Sequence, residues 1–237
     1  MAVLARSGLL AQAHVRGFDA GWTPIDAFRG AREPVADDRA MTDTERFTRT
    51  WHVSAGRGYD TAWGEFTGDR MRARGRAMAL EGGPYWVAYG LETGPGHVTR
   101  VLRVTVDGPG YGTRAVELLR GEQGRWTVDG QERGDLDGAL DCDLGLCPLT
   151  NTLPVRRHGL HLAREAGPAM RFLMAWVSVP DLAVTASVQT YTPLGAGRVR
   201  YASGSFSSEV SFDGDGLVRD YPGLAEEVAA GRAEGGG

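Results

Sequence analysis

The chain has 237 residues, 42% of them hydrophobic, and a formal net charge of −4. That length buries a real core, either in one large β domain or in two small ones. The charge speaks against a nucleic-acid partner, and no window is apolar enough over its length to cross a membrane as a helix. All 26 basic residues are arginine, and the two cysteines, Cys142 and Cys147, are too few for a zinc site or a disulfide scaffold. A reducing, cytoplasmic compartment is the simplest match, with a Cys142–Cys147 bridge left open. No pattern calls for a cofactor.

Residues 1–40 carry scattered arginines, Pro24 and Pro34 but no sustained hydrophobic period. Leu9-Leu10-Ala11-Gln12-Ala13 is too short and too weakly apolar for a signal-peptide core. Met41-Thr42-Asp43-Thr44-Glu45-Arg46 reads like a natural start, so residues 1–40 are expected to be a disordered extension. The expected β domain spans 41–225, and the Gly/Ala-rich tail, 226–237, is expected to be disordered.

Between these ends the period is two. From Arg70 to Ala79 the arginines at 70, 72, 74 and 76 alternate with Met71, Ala73, Gly75 and Ala77, which predicts a half-buried strand with an arginine ladder on one face. Val98, Leu102, Val104 and Val106 share strand parity, and Arg100 falls on that same apolar side, so it is expected to point inward. Phe172 to Val179 is apolar on both faces, which predicts a central strand or one lining an interior. Val184 to Thr192 alternates again, with Gln189 and Tyr191 on one face. Turn signals recur at Gly82-Gly83-Pro84, Asp107-Gly108-Pro109, Asp129-Gly130, Gly167-Pro168 and Asp213-Gly214-Asp215-Gly216. Helix signals are sparse. The fold class is all-β: large twisted antiparallel sheet forming a half-open barrel or a two-layer sandwich, with few short helices.

The chain also lies on itself at an offset of 84. Ala79-Leu80-Glu81-Gly82-Gly83-Pro84 then meets Ala163-Arg164-Glu165-Ala166-Gly167-Pro168, Arg72 meets Arg156, and Asp129-Gly130 meets Asp213-Gly214. Two duplicated halves, 46–135 and 136–225, follow if this is a true repeat; hairpin chemistry alone can produce the same matches.

The densest stretch runs from Gly138 to Arg157. Asp141 and Asp143 sit one residue apart on an apolar run and share a strand face at about 7 Å. Pro148 then forces the chain out of regular pairing, Thr150-Asn151-Thr152 can bond nearby backbone, and Arg156-Arg157 closes the segment. A strand entering a tight crossover or a short helical turn is expected. Paired carboxylates at this spacing suit a glycosidase; the plainer reading has them accepting hydrogen bonds from backbone or from Arg156 and Arg157. His158 and His161 lack the spacing and the Glu of a helical zinc motif, and no Ser sits in a nucleophile elbow. Asp213-Gly214-Asp215-Gly216 lacks the closing Glu of a calcium loop and reads as a hairpin turn. Trp51, Trp63, Trp86, Trp126 and Trp176 each offer a flat face to sugar or lipid, or to the core.

These residues carry a resemblance. Trp51, Gly124-Arg125-Trp126-Thr127-Val128-Asp129-Gly130, Leu140-Asp141-Cys142-Asp143-Leu144 and Pro148 through Arg157 resemble the glycolipid-binding family, formerly a domain of unknown function. Val179-Pro180-Asp181-Leu182, Gln189-Thr190-Tyr191-Thr192 and Asp215 through Leu224 continue the likeness. This chain departs from the pattern at Leu149, His158 and both cysteines. The resemblance implies a twisted sheet, similar in overall form to bacterial lipoprotein carriers, and it brings no catalytic residues. The reading that follows is a non-enzymatic binder or carrier of a glycolipid or other anionic amphiphile. Its expected ligand-binding residues are Arg100, Asp141, Asp143, Asn151, Arg156, Arg157, Gln189, Tyr191, Trp86 and Trp176. A carbohydrate-active hydrolase using Asp141 or Asp143, and a protein-interaction domain recruiting a strand at its edge, are the alternatives. A deep apolar cavity would favour the first, two facing carboxylates in a polar cleft the second, and a filled core the third.

Overall fold

The computed structural model describes residues 44–228; the expectations for residues 1–40 and for the tail from Ala229 onward lie outside them. Eight strands follow one another as antiparallel hairpins: β1 (Thr44–Val53), β2 (Gly58–Thr67), β3 (Arg70–Ala79), β4 (Tyr85–Thr93), β5 (Thr99–Gly108), β6 (Gly112–Arg120), β7 (Trp126–Val128) and β8 (Gln131–Glu132). The short strand β9 (Asp141–Leu144) leads into a 3₁₀ turn, Pro148–Asn151, and a single-turn helix α1 (Thr152–Arg157). A second meander returns as β10 (Met170–Val177), β11 (Val184–Gly195), β12 (Arg198–Ser203), β13 (Phe206–Phe212), β14 (Val218–Tyr221) and β15 (Ala225–Glu227).

All fifteen strands belong to one mixed sheet, in the order β8-β7-β6-β5-β4-β3-β2-β1-β15-β14-β13-β12-β11-β10-β9, and it does not close into a barrel. The all-β class stands. The one pairing that is not antiparallel is β9 with β10, where Asp141 lies beside Met174 and Asp143 beside Trp176. Parallel neighbours need a crossover of a dozen or more residues. Residues 145–169 supply it, which accounts for the density of the Gly138–Arg157 stretch. The edge strand β9 is tied across to β5: Thr99 N–H donates to Leu140 O at 3.0 Å, and Cys142 N–H to Thr99 Oγ1 at 3.0 Å.

Alternation places the core. Trp51, Ala62, Met71, Tyr89, Leu102 and Leu118 are buried on one face of the first meander, while Arg70, Arg72 and Arg76 of β3 stay exposed on the other. Each large apolar side chain removed from water there contributes about 1.5–3 kcal/mol. Trp51 also joins the two meanders, its indole N–H donating to Val218 O at 2.8 Å. A second core forms on β10–β14 around Met174, Val199, Val210 and Phe212. The crossover feeds both: Leu149 and Leu153 pack into the first core, Val155 and Leu160 into the second. Strand β10 is covered on both faces, with Ala175 and Val177 in the first core and Met174 in the second. Its apolar run therefore marks a strand lying between two cores, although it is next to the sheet edge.

Two expectations change. Arg100 is exposed, because the β4–β5 register slips between Glu92 and Thr93: Glu92 pairs with Val101 and Thr93 with Thr99, leaving Arg100 as the extra residue of a bulge. A bulge re-aims the side chains beyond it, so Arg100 leaves the side of Leu102, Val104 and Val106. The sheet also runs past the expected domain end at 225, since Glu226 and Glu227 pair with His52 and Trp51.

At the 84-residue offset, β4, β5 and β6 fall on β10, β11 and β12, but β3 falls on α1 and the turn that follows it. The facing is also opposite. Leu102, Val104 and Val106 are buried, whereas their counterparts Ala186, Val188 and Thr190 are not; in β11 it is Gln189 and Tyr191 that are buried. Because side chains alternate with period two, that offset turns every residue of the strand over.

Candidate functional site: a cleft at the crossover

The crossover does not fill the space against the second meander. It leaves an open cleft of about 580 Å³ between the Leu144–Cys147 turn, Trp176 and Val179 on one side and Tyr201, Phe206, Tyr221 and Leu224 on the other. That volume lies within the range of small-molecule sites.

The floor is polar and hydrogen-bonded. Asp143, at the end of β9, accepts from Gln189 Nε2 at 2.5 Å and from Thr150 Oγ1 at 2.8 Å. The Tyr191 hydroxyl lies 3.1 Å from Asn151 Oδ1 and 3.1 Å from Gln189 Oε1. Strand β9 thus contributes Asp143, the 3₁₀ turn Thr150 and Asn151, and strand β11, one strand beyond β10, Gln189 and Tyr191. The parallel register of β9 and β10 sets Asp143 beside Trp176. Ser187 and Ser203 extend the polar floor toward the rim.

Burial raises the Asp143 carboxyl above its ordinary range, and the hydrogen bonds from Gln189 and Thr150 work against that. Burial likewise raises the phenol of Tyr191 well above 10 and that of Tyr201 to about 12, so both stay neutral hydrogen-bonding groups. The walls are an aromatic bank. Tyr201 meets Tyr191 edge-on at a ring separation of 5.3 Å and Tyr221 at 5.7 Å, and Phe206 lies 6.2 Å from Tyr221. Phe206, 43% exposed, stands at the mouth.

Of the ten residues expected at a site, Asp143, Asn151, Gln189 and Trp176 line this cleft, and Tyr191 lies directly beneath it. The other five are elsewhere. Asp141 is fully buried and bonded through both oxygens to Arg157, with Arg157 Nη1 at 2.8 Å from Oδ1 and Nη2 on Oδ2. This ion pair spans the start and the helical turn of the crossover. The two aspartates share a strand face as expected, yet only one carboxylate reaches the cleft, so the facing pair that a glycosidase requires is not assembled there.

Arg156 lies 3.7 Å over the Phe66 ring, donates to His97 Nε2 at 3.3 Å and bonds the carbonyl of Asp215. It fixes α1 to the first meander and to the β13–β14 turn. Trp86 is 52% exposed on the outer face of β4. Arg100 borders a separate surface cleft with Arg120 and Glu122. Among the other tryptophans, Trp51 and Trp126 are core residues whose indole N–H groups donate to Val218 O and Ala139 O, and Trp63 is on the outer surface. Both cysteines are free and buried. No group of metal ligands occurs among the described residues, and no described helix is long and apolar enough to cross a membrane.

Sequence reasoning missed the far wall: Tyr201, Phe206, Tyr221 and the hydroxyls of Ser187 and Ser203. The signal was present in β12, where Val199, Tyr201 and Ser203 alternate on one face, and in the Asp-Tyr-Pro-Gly-Leu run that delivers Tyr221.

A search of the curated proteins found no match. Among solved structures, the chain is similar to the crystal structure of a DUF1089 family protein from Pseudomonas aeruginosa. The two are 27% identical with a TM-score of 0.60, over 84% of this chain and all of that one. The model of a family described as "Putative glycolipid-binding" matches residues 48–227, a span that includes the whole crossover and both walls of the cleft. The chain belongs to that family.

Proposed function

We propose that this protein binds a glycolipid-class amphiphile without chemically altering it, and that the crossover cleft receives the headgroup. One observation carries the reading: a carboxylate and two side-chain amides are interlocked at the floor of a cleft walled by Trp176, Tyr201, Phe206 and Tyr221. Sugars present that pairing of needs, with hydroxyls for fixed acceptors and amide donors, and C–H faces for aromatic rings. Val179, Leu146, Leu224 and Phe206 continue the wall in apolar side chains, on which an alkyl chain can lie as it leaves the headgroup. The family match supports the ligand class.

The test is a calorimetric titration with monomeric octyl β-glucoside. Saturable binding is expected, weakened about tenfold or more by Trp176→Ala and by Gln189→Leu and unchanged by Trp86→Ala on the outer face. If the glucoside fails to saturate, or if Trp86→Ala weakens it as much as Trp176→Ala does, the cleft is not the headgroup site.

A further inference from the structure

The proposed headgroup site has an unusual electrical character for an arginine-rich protein. Eighteen of the described residues line the cleft, and none of these is Arg, Lys or His. Asp143 is the one carboxylic acid among them. The two arginines of α1 are both engaged elsewhere: Arg157 is spent on Asp141, and Arg156 on Phe66, His97 and Asp215. Burial is the main influence on the Asp143 carboxyl, and Asp141, of like sign, adds a smaller one in the same direction.

We infer that the cleft selects uncharged sugar headgroups and rejects anionic ones, with Asp143 as the residue that sets this preference. The inference rests on the headgroup reading above and deepens it. A phosphate or carboxylate in this space would give up its hydration and meet no counter-charge. It would face a carboxylate whose oxygens are already held by Gln189 and Thr150. Like charges a few ångströms apart in a partly desolvated cleft repel far more strongly than they would in bulk water. An uncharged pyranose has neither cost. Its hydroxyls donate to the unshared lone pairs of Asp143 and accept from the amide of Asn151, which donates to no other side chain or backbone group among the described residues. Its ring rests on the aromatic wall. A carboxylate that accepts from sugar hydroxyls and repels anions discriminates by both means at once.

The experiment compares three probes below their micellar concentrations: octyl β-glucoside, octyl β-glucuronide with the same ring and one carboxylate, and octyl phosphate. On the wild-type protein the glucoside is expected to bind at least tenfold tighter than either anion. Asp143→Asn should bring glucoside and glucuronide to within about threefold of each other. Because a change at Asp143 also touches the floor, Ser203→Arg at the rim gives an independent reading, since the added cation should draw in the glucuronide while the floor stays intact. Equal or tighter binding of the anions by the wild-type protein overturns the inference and leaves the headgroup site standing. A preference that survives both substitutions removes Asp143 from its role. If no probe binds at all, the headgroup reading itself falls, and this one with it.

Discussion

Tyr89 reaches across a neighbouring strand to hold Asp60, its hydroxyl 3.1 and 3.0 Å from the two carboxylate oxygens. Gly75 makes the reach feasible. A Cβ there would stand 2.0 Å from the Tyr89 ring, so the phenol lies flat over β3 only because that position has no side chain. Asp60 is fully buried, and burial is the main cause that pushes its pKa up to about 7, against the lowering effect of hydrogen bonds from Tyr89 and Cys147.

A pH dependence follows with a definite sign. Between 3.8 and about 7 the folded protein keeps a proton on Asp60 that the unfolded chain releases. The stabilisation is complete below that window and is lost as pH rises through it, at about 1.4 kcal/mol per pH unit in mid-window. His97 tilts the other way between about 4 and 6.5, because burial and then the Arg156 charge hold its pKa down; this slope is common to both proteins compared. Asp60→Asn should therefore lose the Asp60 slope and be more stable than wild type at pH 8. Urea unfolding across pH 5.5–8.5 reads the difference, and two parallel curves would refute it.

The ion pair at the crossover should behave as a buried one. Side-chain exposure is 10% for Arg157 and 1% for Asp141. Arg157→Met leaves that carboxylate unpaired and should cost roughly 3–5 kcal/mol, with much of the loss recovered in the Arg157→Met/Asp141→Leu double variant. Arg100→Met, at the exposed bulge, should stay within about 0.5 kcal/mol of wild type. Denaturant midpoints at a common m-value give all three.

On the cleft floor, Asn151→Ala removes the acceptor facing Tyr191 in a site where Asn151 is 5% exposed. A loss of about 1–3 kcal/mol is expected. Combined with Tyr191→Phe, the two changes should be less than additive, with a coupling of at least about 0.5 kcal/mol. Additive losses would show that the hydrogen bond contributes nothing.

A chain trimmed to residues 41–228 should unfold at the midpoint of the full-length protein. One trimmed to 41–224 should lose more than about 1 kcal/mol, because Trp51 and His52 give up their β15 partners and Arg49 gives up its 3.2 Å ion pair with Glu227. Equal midpoints for the two would show that β15 adds nothing to the sheet.

Much of the fold was legible because period-two patterns state facing directly. β3 runs from Arg70 to Ala79 as read, and the Asp213 turn folds on its own carboxylate, which accepts from the Asp215 and Leu217 amides. Arg100 was misread because a bulge is a property of two strands, and one strand's alternation cannot reveal that its partner has slipped. Four of the expected residues, Asp143, Asn151, Gln189 and Trp176, fall at one cleft, and each belongs to a run recognisable in the sequence. Tyr201 and Phe206 of the far wall come to face the same cleft as Trp176 only through the order of strands across the sheet, and strand order leaves no local trace.

The pairing of β1 with β15 joins the first described strand to the last. Almost the whole domain must therefore leave the ribosome before the middle of the sheet can be sealed, and contacts that distant in sequence form slowly. Until then β1 presents an open edge, with its N–H and C=O groups unpaired in a strand that carries Phe47 and Trp51. Synthesis stopped a few residues short would leave Trp51 and His52 without the partners that β15 supplies, so the last three-residue described strand closes the seam between the two meanders.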